Sequence, residues 1–70
     1  MSVVARAEAL FLSSLQPSAH PNHAEIEFAI WWSLRTHGGE FRCAADVAAE
    51  YGEHPDTSAE RMRWALDAAA

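Results

Sequence analysis

The single cysteine is the residue whose type and position could most directly support chemistry. Cys43 follows Arg42 and is expected near the start of a helix, and both a neighbouring cation and a helix N-terminus lower the pKa of a thiol. Nucleophilic catalysis also needs a base and an oxyanion pocket, and this short sequence offers no evident framework for either. We therefore expect Cys43 to pack as a small hydrophobic residue. A small thiol-dependent factor that uses Cys43 is the third-ranked interpretation.

Histidines are the other candidate ligands or acid-base groups. His20 and His23 are three residues apart, but Pro21 lies between them, and no CxxC or HExxH motif accompanies them. The candidate ligands are scattered along the chain, and we expect the histidines among them to be solvated loop residues and not zinc ligands. The set comprises His20, His23, His37, Cys43 and His54. Glu25 and Glu27 fall on different faces of a helix and form no carboxylate dyad. The sequence predicts a protein without metal, cofactor or enzymatic activity.

Periodicity indicates where the first two helices lie. Apolar residues recur every three or four positions over residues 2–15, after Ser2 as a cap and before Pro17 as a stop. Asn22 and Glu25 have the spacing of a capping box, so a second helix is predicted from there to about Thr36. It is followed by Gly38-Gly39, and glycine adopts the left-handed conformation of a helix C-terminus at little cost.

The second helix carries more apolar side chains than one buried face requires. Ile26, Ile30 and Leu34 form one row, and Phe28 and Trp32 form another edge, with Trp31 between them. Either the helix packs on two sides within one bundle, or one side is a surface for self-association, and the sequence leaves both open. The predicted protein interface comprises Ile26, Phe28, Ile30, Trp31, Trp32 and Leu34. Of the three tryptophans, counting Trp64, two are expected to be largely buried and one left for a partner.

Two shorter helices are predicted in the rest of the chain. A third helix is expected from Cys43 to Tyr51, with Gly52 as its stop and residues 53–56 as a turn. Thr57 and Glu60 repeat the capping-box spacing and predict the start of a fourth helix. No segment alternates apolar and polar residues. The fold class predicted is therefore all-α, a compact four-helix bundle.

Residues 43–66 resemble the helix-turn-helix of small bacterial regulators, in which an apolar residue and a small alanine precede a turn glycine, as Val47, Ala48 and Gly52 do here. The resemblance implies that the last helix enters the major groove of DNA. The candidate nucleic-acid contacts are Arg42, Thr57, Ser58, Arg61 and Arg63. A formal net charge of −5 does not favour this interpretation, because it repels phosphate on average.

Size and composition bound the remaining possibilities. With 70 residues we expect a single helical domain over 1–70, whose thin core makes dimerisation a natural stabiliser. One cysteine excludes an intrachain disulfide and suggests a reducing cytoplasm, and no apolar run is long enough for a membrane span. The first interpretation is thus a regulatory protein-protein interaction module that forms a homodimer. The alternative is a helix-turn-helix DNA-binding transcriptional regulator.

Overall fold

Four helices and no strand make up the computed structural model, which describes residues 1–70. They are α1 (Val3–Phe11), α2 (His23–His37), α3 (Glu40–Glu53) and α4 (Pro55–Ala69), and a 3-10 turn at Pro17–Ala19 lies between α1 and α2. The all-α prediction is confirmed. No helix combines the length and the apolar character that crossing a bilayer demands.

The capping signals of the first two helices operate as predicted. The Ser2 hydroxyl accepts from the Ala5 amide at 3.1 Å. Asn22 and Glu25 form a complete capping box, in which each side chain accepts from the other residue's amide, at 2.8 and 2.9 Å. Gly38 ends α2 in the left-handed region, with φ 96°. These caps satisfy amides and carbonyls that the helices leave free at their ends.

Other boundaries differ from the sequence-based expectation. Helix α1 ends at Phe11 rather than near Leu15, and the Ser13 hydroxyl donates to the Leu10 carbonyl at 2.6 Å where the helix stops. Helix α3 begins at Glu40, three residues before Cys43. Helix α4 begins at Pro55, not at Thr57, because proline has no amide hydrogen to satisfy in a first helical turn.

The connection between α3 and α4 is shorter than predicted. His54 alone joins them, where residues 53–56 were expected to form the turn, whereas a helix-turn-helix uses three or four residues. The Thr57 hydroxyl donates to the His54 carbonyl and caps nothing. The capping-box spacing of Thr57 and Glu60 therefore did not mark a helix start.

One hydrophobic core receives side chains from every helix. Helix α1 packs against each of the other three, and its buried alanines allow close approach, since the distance between helix axes depends on the side chains at the contact. The core comprises Ala7, Ala9, Leu10, Phe11, Ile26, Ala29, Ile30, Cys43, Val47, Ala65 and Ala69.

Arg6 ties three helices together at one edge of this core. Its Nη1 donates to Glu27 Oε1 at 3.0 Å, Nη2 donates to the other carboxylate oxygen, and Nε donates to the Ala69 carbonyl at 3.1 Å. Such a bidentate pair is stronger than a single contact between charges. The hydrogen bonds from Arg6 lower the pKa of Glu27. Helices α1, α2 and α4 are thereby held in register near the C-terminal end of α4.

Candidate interaction surface

The six predicted interface residues of α2 separate into two sets. Ile26 and Ile30 are buried in the core, and Leu34 is half-buried against it. Helices α1 and α3 pack against α2, and they cover this row. The prediction that Ile26, Ile30 and Leu34 contribute to an interface is therefore corrected, because this chain buries Ile26 and Ile30 and half-buries Leu34 against its own core.

The second row of α2 is left uncovered. Phe28, Trp31 and Trp32 keep 61, 49 and 53% of their surface exposed. We call these three residues the aromatic surface. The spacing of i, i+3 and i+4 places them side by side on one helix face.

The three rings of the aromatic surface contact one another. The ring centroids of Phe28 and Trp32 lie 6.3 Å apart with an interplanar angle of 8°, and Trp31 lies 5.8 Å from Phe28 and 6.1 Å from Trp32. These separations are within the range of favourable aromatic pairs. The cluster is therefore a contiguous apolar patch held in place before any partner arrives.

Two charged side chains lie beyond the ends of the aromatic surface. The Arg35 guanidinium lies 5.1 Å from the ring centroid of Trp31, a cation-π geometry. Glu25 lies one turn before Phe28, and one of its carboxylate oxygens accepts from the Asn22 amide. The patch therefore has a negative end and a positive end along α2.

A groove borders the aromatic surface on one side. It has a volume of about 610 Å³ and lies between α2 and the segment 12–15 that follows α1. Phe28 and Trp32 line it from α2, and Leu12 and Leu15 line it from the other side. A lining of apolar side chains with several serine and threonine residues suits binding of an apolar side chain rather than chemistry.

Trp64 is the tryptophan that packs against the protein's own core. It is half-buried, packs against the core, and its ring centroid lies 5.0 Å from the Arg61 guanidinium carbon. Because Trp31 and Trp32 are both exposed, the expectation that two of the three tryptophans would be largely buried was wrong. A larger part of the aromatic content faces outward than the sequence suggested.

Cys43 lies in the core with no exposed surface, and its Sγ is 3.9 Å from the Ser33 carbonyl oxygen. Burial raises the pKa of the Cys43 thiol, and the carboxylates of Asp46, Glu8 and Glu40 raise it further. This direction is opposite to the one expected from Arg42 and a helix N-terminus. The thiol is therefore protonated and shielded, as a packing residue is.

The histidines are dispersed. No three His, Cys, Asp or Glu side chains lie close enough together to hold a metal ion. His37 is instead paired with Asp46, with Nδ1 2.7 Å from Oδ2, and this contact links the end of α2 to α3.

The candidate nucleic-acid residues do not form one surface. The Arg61 guanidinium points inward, with Nε donating to the Phe11 carbonyl at 2.6 Å and Nη2 donating to the carbonyls of Ser13 and Leu15 at 2.9 Å each. Ser58 is buried, so neither Arg61 nor Ser58 is free to contact phosphate. The others remain exposed, namely Arg42, Thr57 and Arg63.

Sequence reasoning missed the role of Arg61 because no local pattern encodes it. The partners of Arg61 lie 46 to 51 residues earlier in the chain. Three of them, the carbonyls of Phe11, Ser13 and Leu15, accept from no main-chain amide because α1 ends early, and only that early end reveals them. No family model, curated protein or solved structure matches the chain.

Proposed function

We propose that this chain is a non-enzymatic helical interaction module that binds protein through the aromatic surface and associates with a second copy of itself. The observation that carries the proposal is the contiguous exposure of Phe28, Trp31 and Trp32 on one face of α2. Tryptophan is among the residues most enriched at the energetic centres of protein interfaces.

The size of the patch supports a binding role. Large aromatic side chains bury roughly 150 to 250 Å² each, so three that are about half exposed leave on the order of 300 Å² of apolar surface. The largest apolar patch of a monomeric protein typically measures about 300 to 600 Å² and is often functional, and the aromatic surface falls within this range. Covering the aromatic surface removes this apolar area from water, which favours association.

Charge favours a protein partner over a nucleic acid. Proteins that stack bases on aromatic side chains combine the rings with a positively charged groove. The aromatic surface has a single cation beside it, Arg35, and the chain carries a net charge of −5. The helix-turn-helix interpretation requires Arg61 to contact the phosphates of DNA, but the guanidinium of Arg61 donates its hydrogen bonds to main-chain carbonyls of its own chain.

A second copy is the partner that the size of the chain favours. A domain of 70 residues buries only about 60% of the surface that its unfolded chain exposes, a smaller share than a larger domain buries, and oligomerisation is a usual way to bury more. A two-fold pair presents the same patch on both subunits, so the aromatic surface would cover itself. Two aromatic surfaces of this size bury on the order of 600 Å² in total, less than a standard stable complex, so we expect a weak dimer that forms at micromolar or higher concentrations.

Sedimentation velocity over a concentration series of about 1 to 100 µM tests the proposal. The unaltered chain is expected to shift from monomer to dimer mass across this range. The double variant Phe28→Ser/Trp32→Gln should remain monomeric while its helical circular dichroism is retained. The control is Phe41→Ser, which removes the most exposed aromatic side chain of the protein, at 93% exposure, from a different helix.

Two results would refute self-association through this face. One is a monomer at every concentration with full helicity. The other is equal weakening by Phe41→Ser and by the double variant, which would show that the dimer depends on exposed aromatic residues in general.

A further inference from the structure

We infer that two copies pair through antiparallel α2 helices with the two-fold axis near Ile30, so that Glu25 lies opposite the partner's Arg35 and Phe28 lies opposite the partner's Trp32. This inference rests on the proposed function and adds to it the orientation and the register of the interface, with the two charged residues that specify them.

The positions along α2 carry the geometric part of the inference. In an antiparallel pair, a two-fold axis at one residue brings positions equally far before and after that residue opposite each other. Phe28 and Trp32 lie two residues on either side of position 30, about 3 Å along the axis, and Glu25 and Arg35 lie five residues on either side, about 7.5 Å. One axis therefore matches the apolar pair and the charged pair together.

These residues also share one face of the helix. Glu25, Phe28, Trp32 and Arg35 are all exposed, whereas Ile30 faces the core on the opposite side. The axis would thus pass in front of position 30 on the outer face of α2, between the side chains of Phe28 and Trp32. Trp31 lies at the flank of the contact, about 3 Å along the helix axis from its copy in the partner.

The charges discriminate between orientations. The ion pairs of the chain are Arg6–Glu27 and His37–Asp46, so Arg35 has no carboxylate partner within its own subunit. Glu25 uses Oε1 for the Asn22 amide, which leaves Oε2 available. An antiparallel pair brings these opposite charges together twice, while a parallel pair sets each charge against its own copy and is disfavoured.

Charge reversal followed by sedimentation velocity tests the orientation. Glu25→Arg and Arg35→Glu should each weaken dimerisation about tenfold, because each converts two attractive contacts into two repulsive ones. The combined variant Glu25→Arg/Arg35→Glu should restore most of the affinity. It lacks the carboxylate of the capping box just as the single Glu25→Arg variant does, so its recovery isolates the effect of charge. The control Arg63→Glu reverses an exposed charge on α4 and should change nothing.

Distance measurement between spin labels gives a second readout. A label on Ala24→Cys, attached under native conditions while Cys43 is shielded, should lie about 18 Å along the helix axis from its copy in the antiparallel pair, and close to it in a parallel pair. A short distance, or single reversals without effect, overturns the antiparallel register while dimerisation and its loss in Phe28→Ser/Trp32→Gln uphold the proposed function. A monomeric chain overturns both.

Discussion

Arg61 on α4 donates from Nε to the main-chain carbonyl of Phe11, the last residue of α1, at 2.6 Å. Its Nη2 donates to two further carbonyls in the segment after α1, and its guanidinium carbon lies 5.9 Å from the Phe11 ring centroid. The last carbonyls of a helix have no hydrogen-bond donor within the helix. Here the planar guanidinium of Arg61, which carries several N–H groups, donates to the carbonyl of Phe11. One side chain thus contacts both the end of α1 and the segment that borders the groove, and it joins α4 to both.

Replacing Arg61 is therefore expected to destabilise the protein. Hydrogen bonds to charged groups contribute about 1.5 to 3 kcal/mol each to stability when the partner would otherwise be unsatisfied, and water can replace part of this at a half-buried site. We expect Arg61→Ala to lower the free energy of unfolding by about 2 kcal/mol, measured by urea denaturation. Arg61→Lys should recover little, because an ammonium cannot reproduce the planar set of donors.

Arg63 is the matched control for this prediction. It is an exposed arginine on the same helix, and Arg63→Ala should change stability by less than about 0.5 kcal/mol. Equal losses in the two variants would mean that the carbonyl contacts of Arg61 contribute nothing to stability.

Two glycines predict opposite effects of the same substitution. Gly38 ends α2 with φ 96°, and a Cβ there would lie 3.4 Å from Cγ of Arg42, so Gly38→Ala should cost about 1 to 2 kcal/mol. Gly52 lies within α3, and a Cβ added there would meet no other atom within 4 Å. Gly52→Ala should stabilise by about 0.5 to 1 kcal/mol, since alanine loses less backbone entropy in a helix. Thermal unfolding of both variants checks the signs, and a stabilising Gly38→Ala would contradict the left-handed cap.

Local patterns in the sequence were sufficient for α2. The capping box at Asn22 and Glu25 and the left-handed Gly38 are interactions within a few residues, and both were predicted where the structure has them. The same capping-box spacing at Thr57 and Glu60 failed, because a proline at position 55 already begins the helix and leaves Thr57 inside its first turn. A local signal is reliable only where no neighbouring residue provides an earlier start.

The site could be predicted only in part, because burial is decided by the whole fold. Periodicity identified two apolar edges on α2, but it could not say which one the other helices would cover. The structure covers Ile26 and Ile30 and leaves the aromatic surface open. The inward orientation of Arg61 depends on contacts across most of the chain, which no pattern along the sequence can report.

The Arg6–Glu27 pair predicts how stability responds to acid. The hydrogen bonds from Arg6 hold the pKa of Glu27 below its ordinary value, so the contribution of the pair is present above about pH 4.3 and is lost as the pH falls through the lowered value. Glu27→Gln should therefore flatten the decline of unfolding free energy between neutral and acidic pH. Glu53→Gln removes the same charge from an exposed carboxylate without an ion-pair partner, and it should leave the decline as it is. If the free energy of unfolding of Glu27→Gln declines towards acidic pH as steeply as that of the unaltered chain, the pair does not contribute to stability.

Cys43 predicts the response to alkali. Burial and nearby carboxylates raise the pKa of its thiol in the folded chain, so the folded form keeps the proton while the unfolded form loses it above about pH 8.5. The contribution of the protonated, buried thiol to the free energy of unfolding is therefore complete below that pH. It is lost as the pH rises through the raised pKa of the folded chain. The sequence contains no lysine and one tyrosine, so few other side chains release protons in this range. We expect Cys43→Ala to show a flatter alkaline decline in the free energy of unfolding than the unaltered chain, whereas Tyr51→Phe should keep the decline.

A thiol reagent should also modify native Cys43 slowly and the urea-unfolded chain rapidly, because reaction requires a thiolate that solvent can reach. Rapid modification of the folded chain at neutral pH would contradict both the burial and the raised pKa.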